Sequence, residues 1–221
     1  MEDLYQQLSQ NAIDLFNQNG GFKRIMIGLA GPPGSGKTTT AQKVCEKINE
    51  FIADGAATVL PMDGFHIPRK KLQEMENPEY LFKRRGAPFT FDSEALLAII
   101  KKLKSNKETT VKAPSFDHAL KDPIQDDIEI PASIKLIILE GNYLLLKDPV
   151  WFEISEEFDQ KWLITADWEI IKDRLIQRHL KAGICSNYDE ALARANENDI
   201  PNGHYIIENS VKPDFIFKGD L

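Results

Sequence analysis

"GPPGSGKTTT", residues 31–40, sets three glycines and two prolines ahead of one lysine and three threonines. Gly31 to Thr38 fit the spacing G-x-x-x-x-G-K-[S/T], which carries chemical meaning only where it joins a strand to a helix. Upstream, "RIMIGLA" (24–30) is a short apolar run of the kind a buried parallel strand uses. Downstream, as far as about residue 53, Ala41, Val44, Cys45, Ile48, Phe51 and Ile52 recur at helical spacing, and Gly55 suits the helix end. In that frame Gly31, Gly34 and Gly36 let successive backbone N–H groups turn into one concavity, whose positive potential suits phosphate oxygens. Pro32, Pro33, Ser35 and Thr39 complete the loop. Lys37 adds a full charge that can reach the outer phosphates, and the Thr38 hydroxyl can ligate Mg²⁺. A nucleoside triphosphate, ATP or GTP, and Mg²⁺ are the expected cofactors. The competing dinucleotide pattern G-x-G-x-x-G/A fails, because Gly34 and Gly36 are followed by Thr39 at its last position.

Working outward, apolar runs and helical patterns alternate. "MEDLYQQLSQNAIDLFNQ" carries an amphipathic helix over 2–18; "ATVLPM" (57–62), "SIKLIILE" (133–140), "KWLITAD" (161–167) and "DFIF" (214–217) read as further strands. "DSEALLAIIKKLKS" is a helix that Asp92 or Ser93 can cap, and "WEIIKDRLIQRHLKAG" is one closed by Gly183. "NYDEALARANEN" reads as another helix. The stretch from Arg69 to Phe91 is polar and proline-broken, mostly loop with at most one helix. Strands alternating with helices predict a parallel α/β sheet covered on both faces.

Composition narrows the function classes. Lys and Arg total 27 against 34 Asp and Glu, a net charge of −7, so a general nucleic-acid surface is not expected and any phosphate site must be local. The two cysteines, Cys45 and Cys185, imply no disulfide framework. The first ten residues lack the basic and apolar regions of a leader, and no apolar run is long enough to span a bilayer. A cytoplasmic protein without membrane or nucleic-acid partners is expected, with its oligomeric state open.

Nucleotide binding alone leaves switch, motor and kinase open. The only Asn-Lys pair, in "NKET" (106–109), lacks the Asp of a guanine site, and no Asp precedes a glycine by three positions as a switch would need. A small-molecule kinase needs a carboxylate at the end of a neighbouring strand, to fix or deprotonate the acceptor hydroxyl. Asp63 in "VLPMDGFH" stands there, at the edge where open α/β sheets bind ligands. Glu140 ends "LIILE" in the same way and is a candidate for Mg²⁺ or its waters. Arg174 and Arg178, four apart on one helix face, form with Lys181 a basic stripe that could close on phosphates.

"GPPGSGKTT", "PMDGF", "RRGAPFTFD", "APSFDHALKD", "ILEGNYLL" and the arginine helix occur in the order found in the phosphoribulokinase, uridine kinase and pantothenate kinase superfamily, and the chain resembles it over about 22–217. The resemblance implies a P-loop nucleoside triphosphate hydrolase fold, with a five-stranded parallel sheet in the order 2-3-1-4-5, flanking helices and an arginine-bearing lid. It implies Asp63 as catalytic base, Lys37, Arg174 and Arg178 as further catalytic groups, and Thr38 and Glu140 at the metal. It also implies acceptor contacts from segments 84–92 and 114–122, here Arg84, Arg85, Phe89, Asp117 and His118, and from a later asparagine, Asn202. The acceptor segment departs from the uridine kinase pattern, since His118 directly follows Asp117 and no arginine comes after it. The chain is most similar to compact members, some of them sugar-kinase-like.

The expectation is a single kinase domain over 1–221, with a lid at about 168–200, that moves the γ-phosphate of ATP to a hydroxyl of a small metabolite. The alternative is an ATPase or ATP-binding regulatory module with no small-molecule acceptor.

Overall fold

The computed structural model describes residues 2–20, 23–52, 55–105 and 108–219. At its centre lies β1 (Ile25–Ala30), whose six residues are all buried. β1 leads through the 31–36 loop into α2 (Lys37–Phe51), and α1 (Glu2–Gln18) packs against α2. The expected strand–loop–helix unit is therefore present, with α2 ending at Phe51; Ala53, where the sequence pattern extends it, lies outside the described residues.

β2 is Ala57–Pro61, β5 is Leu136–Gly141, β6 is Gln160–Thr165 and β7 is Phe215–Lys218. All five pair in parallel in the order β2-β5-β1-β6-β7. Counting only these strands, that is the expected 2-3-1-4-5. Strand-long burial explains why the sequence reads as continuous apolar runs: both faces are covered. Ile25, Ile27 and Leu29 face α1 and α2, while Met26 and Ala30 face the core under α5 (Ser93–Ser105) and α6 (Trp151–Glu156). Asp92 caps α5, its carboxylate accepting from the Ala95 N–H at 3.0 Å.

Two features depart from the sequence reading. Residues 111–130 form an antiparallel hairpin, β3 (Val111–Asp117) with β4 (Asp122–Ile130), where no strands are expected. β4 is mostly solvent-facing and acidic, and Pro114 lies at a register shift between Ala113 and Ser115, so neither strand carries a clean alternation. The stretch 69–91 holds two short helices, α3 (Arg69–Glu74) and α4 (Pro78–Lys83), rather than at most one. Each is a bare two turns, too short for a periodic signal.

α7 (Trp168–Lys181) and α8 (Tyr188–Arg194) share a small apolar cluster of their own beside the sheet. A π-helical turn, Ala195–Asp199, joins α8 to α9 (Ile200–Asn209). His179 of α7 and Asp199 are both buried and meet at 2.7 Å, which fixes α7 against that turn. Among the described residues no helix is long and apolar enough to cross a membrane.

Candidate active site

The five parallel strands share one carboxyl edge, and the 31–36 loop leaves β1 there, the position α/β sheets use for ligands. Gly36 adopts φ 95°, a left-handed conformation that costs glycine nothing, and so turns the chain directly into α2. The Lys37 Nζ donates to the carbonyl oxygens of Gly31 (2.9 Å) and Pro32 (2.8 Å). Lys37 is only 7% exposed. Burial lowers its pKa to about 8, an effect that Arg178 reinforces and that Glu140 and Asp63 oppose. The lysine is thus already set across the loop, and Glu140 and Asp63 share its field.

Thr38 and Glu140 converge as their spacing suggests: the Thr38 hydroxyl donates to Oε1 of Glu140 at 2.9 Å. Glu140 is 7% exposed, and burial raises its pKa while Lys37 opposes the rise. A hydroxyl and a buried carboxylate meeting at a phosphate loop are hard oxygen donors, which suits Mg²⁺. Among the described residues no cluster of three His, Cys, Asp or Glu could hold a metal alone.

Asp63 sits on a 3₁₀ turn, Met62–Phe65, directly after β2. Pro61 pairs with Glu140 in the sheet, so Asp63 begins two residues beyond the register position of Glu140. Two contacts hold the turn. A Cβ at Gly64 would stand 2.1 Å from the Pro114 carbonyl oxygen, so only glycine lets β3 press this close. His66 stacks between Phe91 (4.0 Å) and Phe116 (4.8 Å), and its Nδ1 faces the Asp63 carbonyl oxygen at 2.8 Å. A carbonyl only accepts, so that nitrogen carries the proton. Burial lowers the His66 pKa against the nearby Asp63 carboxylate. A neutral ring therefore buttresses the aspartate's backbone. His66 was not among the residues expected from sequence; its place next to "DGF" is the signal that could have found it.

The arginines of α7 take different positions. Arg174 Nη1 lies 3.3 Å from the carbonyl oxygens of Gly34 and of Gly219, so it spans the loop and the end of β7. Arg178 is exposed, and its charge acts on Lys37.

The expected acceptor residues divide into two groups. Arg84 donates to the Asn202 amide oxygen at 3.0 Å and to the Glu197 carbonyl at 3.1 Å, bringing together two residues 118 apart in sequence. Asn202 is 5% exposed and lies within α9. Phe89 is 46% exposed and stacks on Tyr80 at 5.9 Å. The second group lies at the hairpin. Arg85 is engaged in holding it: it pairs with Asp122 at 3.0 Å and donates to the Lys121 carbonyl. Asp117 accepts from the N–H groups of Ala119 (2.7 Å) and Leu120 (2.9 Å), capping the hairpin turn. His118 is exposed, with its ring against Phe116 at 5.3 Å. Both sides reach the central turn electrostatically, since His66 senses Asp63, Arg85 and His118, while buried Tyr143 senses Asp199, Arg84 and Asp63.

The sequence profile described as the Phosphoribulokinase / Uridine kinase family matches residues 26–182. A Schizosaccharomyces pombe protein provisionally named a uridine kinase is 35% identical over 214 residues, covering 97% of this chain and 90% of that protein. A structure from Silicibacter sp. TM1040, provisionally described as a fructose transport system kinase, superposes with a TM-score of 0.85 at 31% identity, over 96% of this chain and 98% of that one. YFH7 from Saccharomyces cerevisiae, a circularly permuted P-loop protein, shares the fold at a TM-score of 0.85 and 24% identity, over 96% and 97% of the two chains. The matched segment runs from β1 to the turn after α7, spanning the phosphate loop, the Asp63 turn, Glu140 and both arginines, and places the chain in the phosphoribulokinase / uridine kinase family of ATP-dependent P-loop kinases.

Proposed function

We propose that the protein transfers the γ-phosphoryl group of Mg-ATP to a hydroxyl group of a small metabolite. The observation that carries this reading is the convergence of the Thr38–Glu140 contact with the Asp63 turn, one strand away at the same sheet edge. Thr38 and Glu140 would hold the metal, which would supply positive charge to offset that of the phosphates. The loop amides and Lys37 hold the outer phosphates. Asp63 orients the acceptor hydroxyl in line with the phosphorus and takes its proton as the new O–P bond forms, the bond to ADP breaks and ADP leaves. Arg174 and Arg178 lie over the transferring group from α7, where they neutralise charge and exclude water. The names of the relatives, a uridine kinase and a fructose transport system kinase, support an acceptor rich in hydroxyls.

ADP release from Mg-ATP, measured with and without a panel of nucleosides, sugars, sugar phosphates and pantothenate, tests the reading. Stimulation by one class, with phosphorylated product, is expected. ATP turnover that no acceptor changes would turn the assignment toward an ATPase or an ATP-binding regulatory module.

A further inference from the structure

The segment 84–92 is joined to the Asp63 turn by a backbone seam at one end. The Phe65 carbonyl accepts from the Asp92 N–H at 2.8 Å, and the Thr90 carbonyl accepts from the Ile67 N–H at 2.9 Å. At its other end, the turn at Gly86 has no such seam. Gly86 adopts φ 106°, a conformation that favours glycine, and a Cβ built there would meet nothing within 4 Å. Such a turn swings unless a bond holds it. The bond comes from Tyr143, whose hydroxyl donates to the Gly86 carbonyl at 2.5 Å. Within the turn the Gly86 N–H donates to Thr90 Oγ1 at 2.9 Å, and that hydroxyl donates to the Ala87 carbonyl at 2.8 Å. Fixing Gly86 therefore fixes the chain as far as Thr90. Tyr143 is itself held fast. It is fully buried, with its ring against Phe91 at 5.6 Å and Trp151 at 5.8 Å. Burial, with Asp199 adding to it, raises the phenol's pKa, so the hydroxyl keeps its proton and remains a donor. Tyr143 stands three residues beyond Glu140, and β5 pairs Glu140 with Pro61, two residues before Asp63. Two residues further on, the Leu145 carbonyl accepts from the Val211 N–H at 2.7 Å, which ties the same stretch to the chain after α9.

We propose that Tyr143 is a positioning residue for the acceptor: its hydroxyl holds the Gly86 turn, and with it the 84–91 segment, in a fixed place relative to Glu140 and Asp63. The role rests on the kinase reading above. Tyr143 touches neither nucleotide nor acceptor, since its side chain is enclosed. Its effect passes through Gly86, because the two preceding residues, Arg84 and Arg85, take their direction from that turn.

Tyr143→Phe removes the oxygen and keeps the ring packing, so the variant is expected to fold. Two measurements on the full chain test the inference. In the first, backbone hydrogen exchange is followed with Mg²⁺ and a non-hydrolysable ATP analogue present. The amides of Gly86, Ala87 and Thr90 should exchange about tenfold faster in the variant, as for one lost hydrogen bond, while those of Ser35 and Thr40 keep their rates. In the second, transfer from saturating Mg-ATP is measured with uridine, D-ribose, ribose 5-phosphate, D-fructose and pantothenate. For each acceptor that the wild type phosphorylates, KM should rise about tenfold, and KM for Mg-ATP should hold. Gly86→Ala leaves Tyr143 in place but forces φ 106° on a residue with a side chain, and should give the same pair of changes. It carries the test if Tyr143→Phe does not fold. Unchanged exchange at 86–90 overturns the inference. Faster exchange without a rise in acceptor KM overturns it too, because the bond then serves stability alone. Both outcomes leave the kinase assignment standing. A wild type that phosphorylates none of the five has no acceptor to position, and the kinase reading and this inference fall together.

Discussion

The proposed donor side and the proposed acceptor side of this site are built on opposite principles. The donor side is local. Nine consecutive residues, 31–39, make the loop and the first turn of α2, and one strand-end acid, Glu140, completes the set through a single 2.9 Å contact. The acceptor side is assembled from chain segments far apart: Arg84 meets Asn202 across 118 positions, and Arg85 meets Asp122 across 37. Local chemistry leaves a motif, because the backbone itself is the binding group and few residues permit its shape. Distributed chemistry leaves none, because each contributing segment only has to reach the right place.

Breaking the hinge between the two sides should have the largest effect. Asp63→Asn removes the proposed proton acceptor while preserving shape; phosphoryl transfer should fall about 10²–10⁴-fold, the usual range for a general base. Calorimetric ATP affinity should stay unchanged, and retained transfer would remove Asp63 from the chemistry. Lys37→Met attacks the donor side alone. The rise in melting temperature on adding Mg-ATP should vanish. The nucleotide-free protein should instead melt higher, by about 2–4 °C per kcal/mol for a chain of this size. The sign follows from the lowered pKa. Holding the buried charge weighs against the fold below about pH 8, and that cost lapses as pH rises from there toward the ordinary lysine value. A melting temperature that drops in Lys37→Met would contradict this.

Gly64→Ala tests whether the hairpin and the catalytic turn act as one body. The new methyl group meets the Pro114 carbonyl, so one of the two must move. A loss of about 1–3 kcal/mol by denaturant titration is expected for such overpacking. KM for the acceptor should rise while KM for ATP holds; equal changes in both would mean the hairpin supports the whole edge rather than the acceptor side. Arg85→Gln is the mildest. It cuts the pin to Asp122 and the Lys121 carbonyl, which should cost about 1–2 kcal/mol of stability for bonds to a charged group on a half-buried side chain. Its acceptor effect should be smaller than that of Gly64→Ala, and a larger one would return Arg85 to direct contact with the acceptor.

The same contrast explains what was legible in the sequence. The parallel sheet follows from buried apolar runs such as "RIMIGLA" and "LIILE", where every residue is covered and the signal is continuous, while its strand order comes from the family resemblance alone. Thr38, Glu140 and the Asp63 turn lie at the ends of those runs, so their convergence follows from the same pattern. The β3–β4 hairpin was illegible because its outer strand is acidic and exposed and Pro114 interrupts the inner one; it exists through pairing, not through propensity. His66 escaped notice because nothing in its neighbours announces a ring packed between two phenylalanines. The resemblance alone marks "APSFDHALKD" as an acceptor segment; the structure engages Asp117 in the hairpin turn itself and leaves His118, Ala119 and Leu120 exposed.

The Lys37 ammonium, seated on two loop carbonyls with a pKa near 8, has a consequence for how the nucleotide is taken up. Phosphate oxygens in place of those carbonyls favour the charged form, so loading the loop draws in a proton whenever the empty site has lost it. At pH 8 about half a proton should enter with each nucleotide, and above that pH affinity should fall by up to about tenfold per unit. Calorimetry in buffers of different ionisation heat measures this directly: an apparent binding enthalpy that shifts with the buffer at pH 8, and not at pH 6.5, is the expected result. The loop would then respond to alkalinity as well as to ATP, with a threshold set by how deeply one lysine is buried.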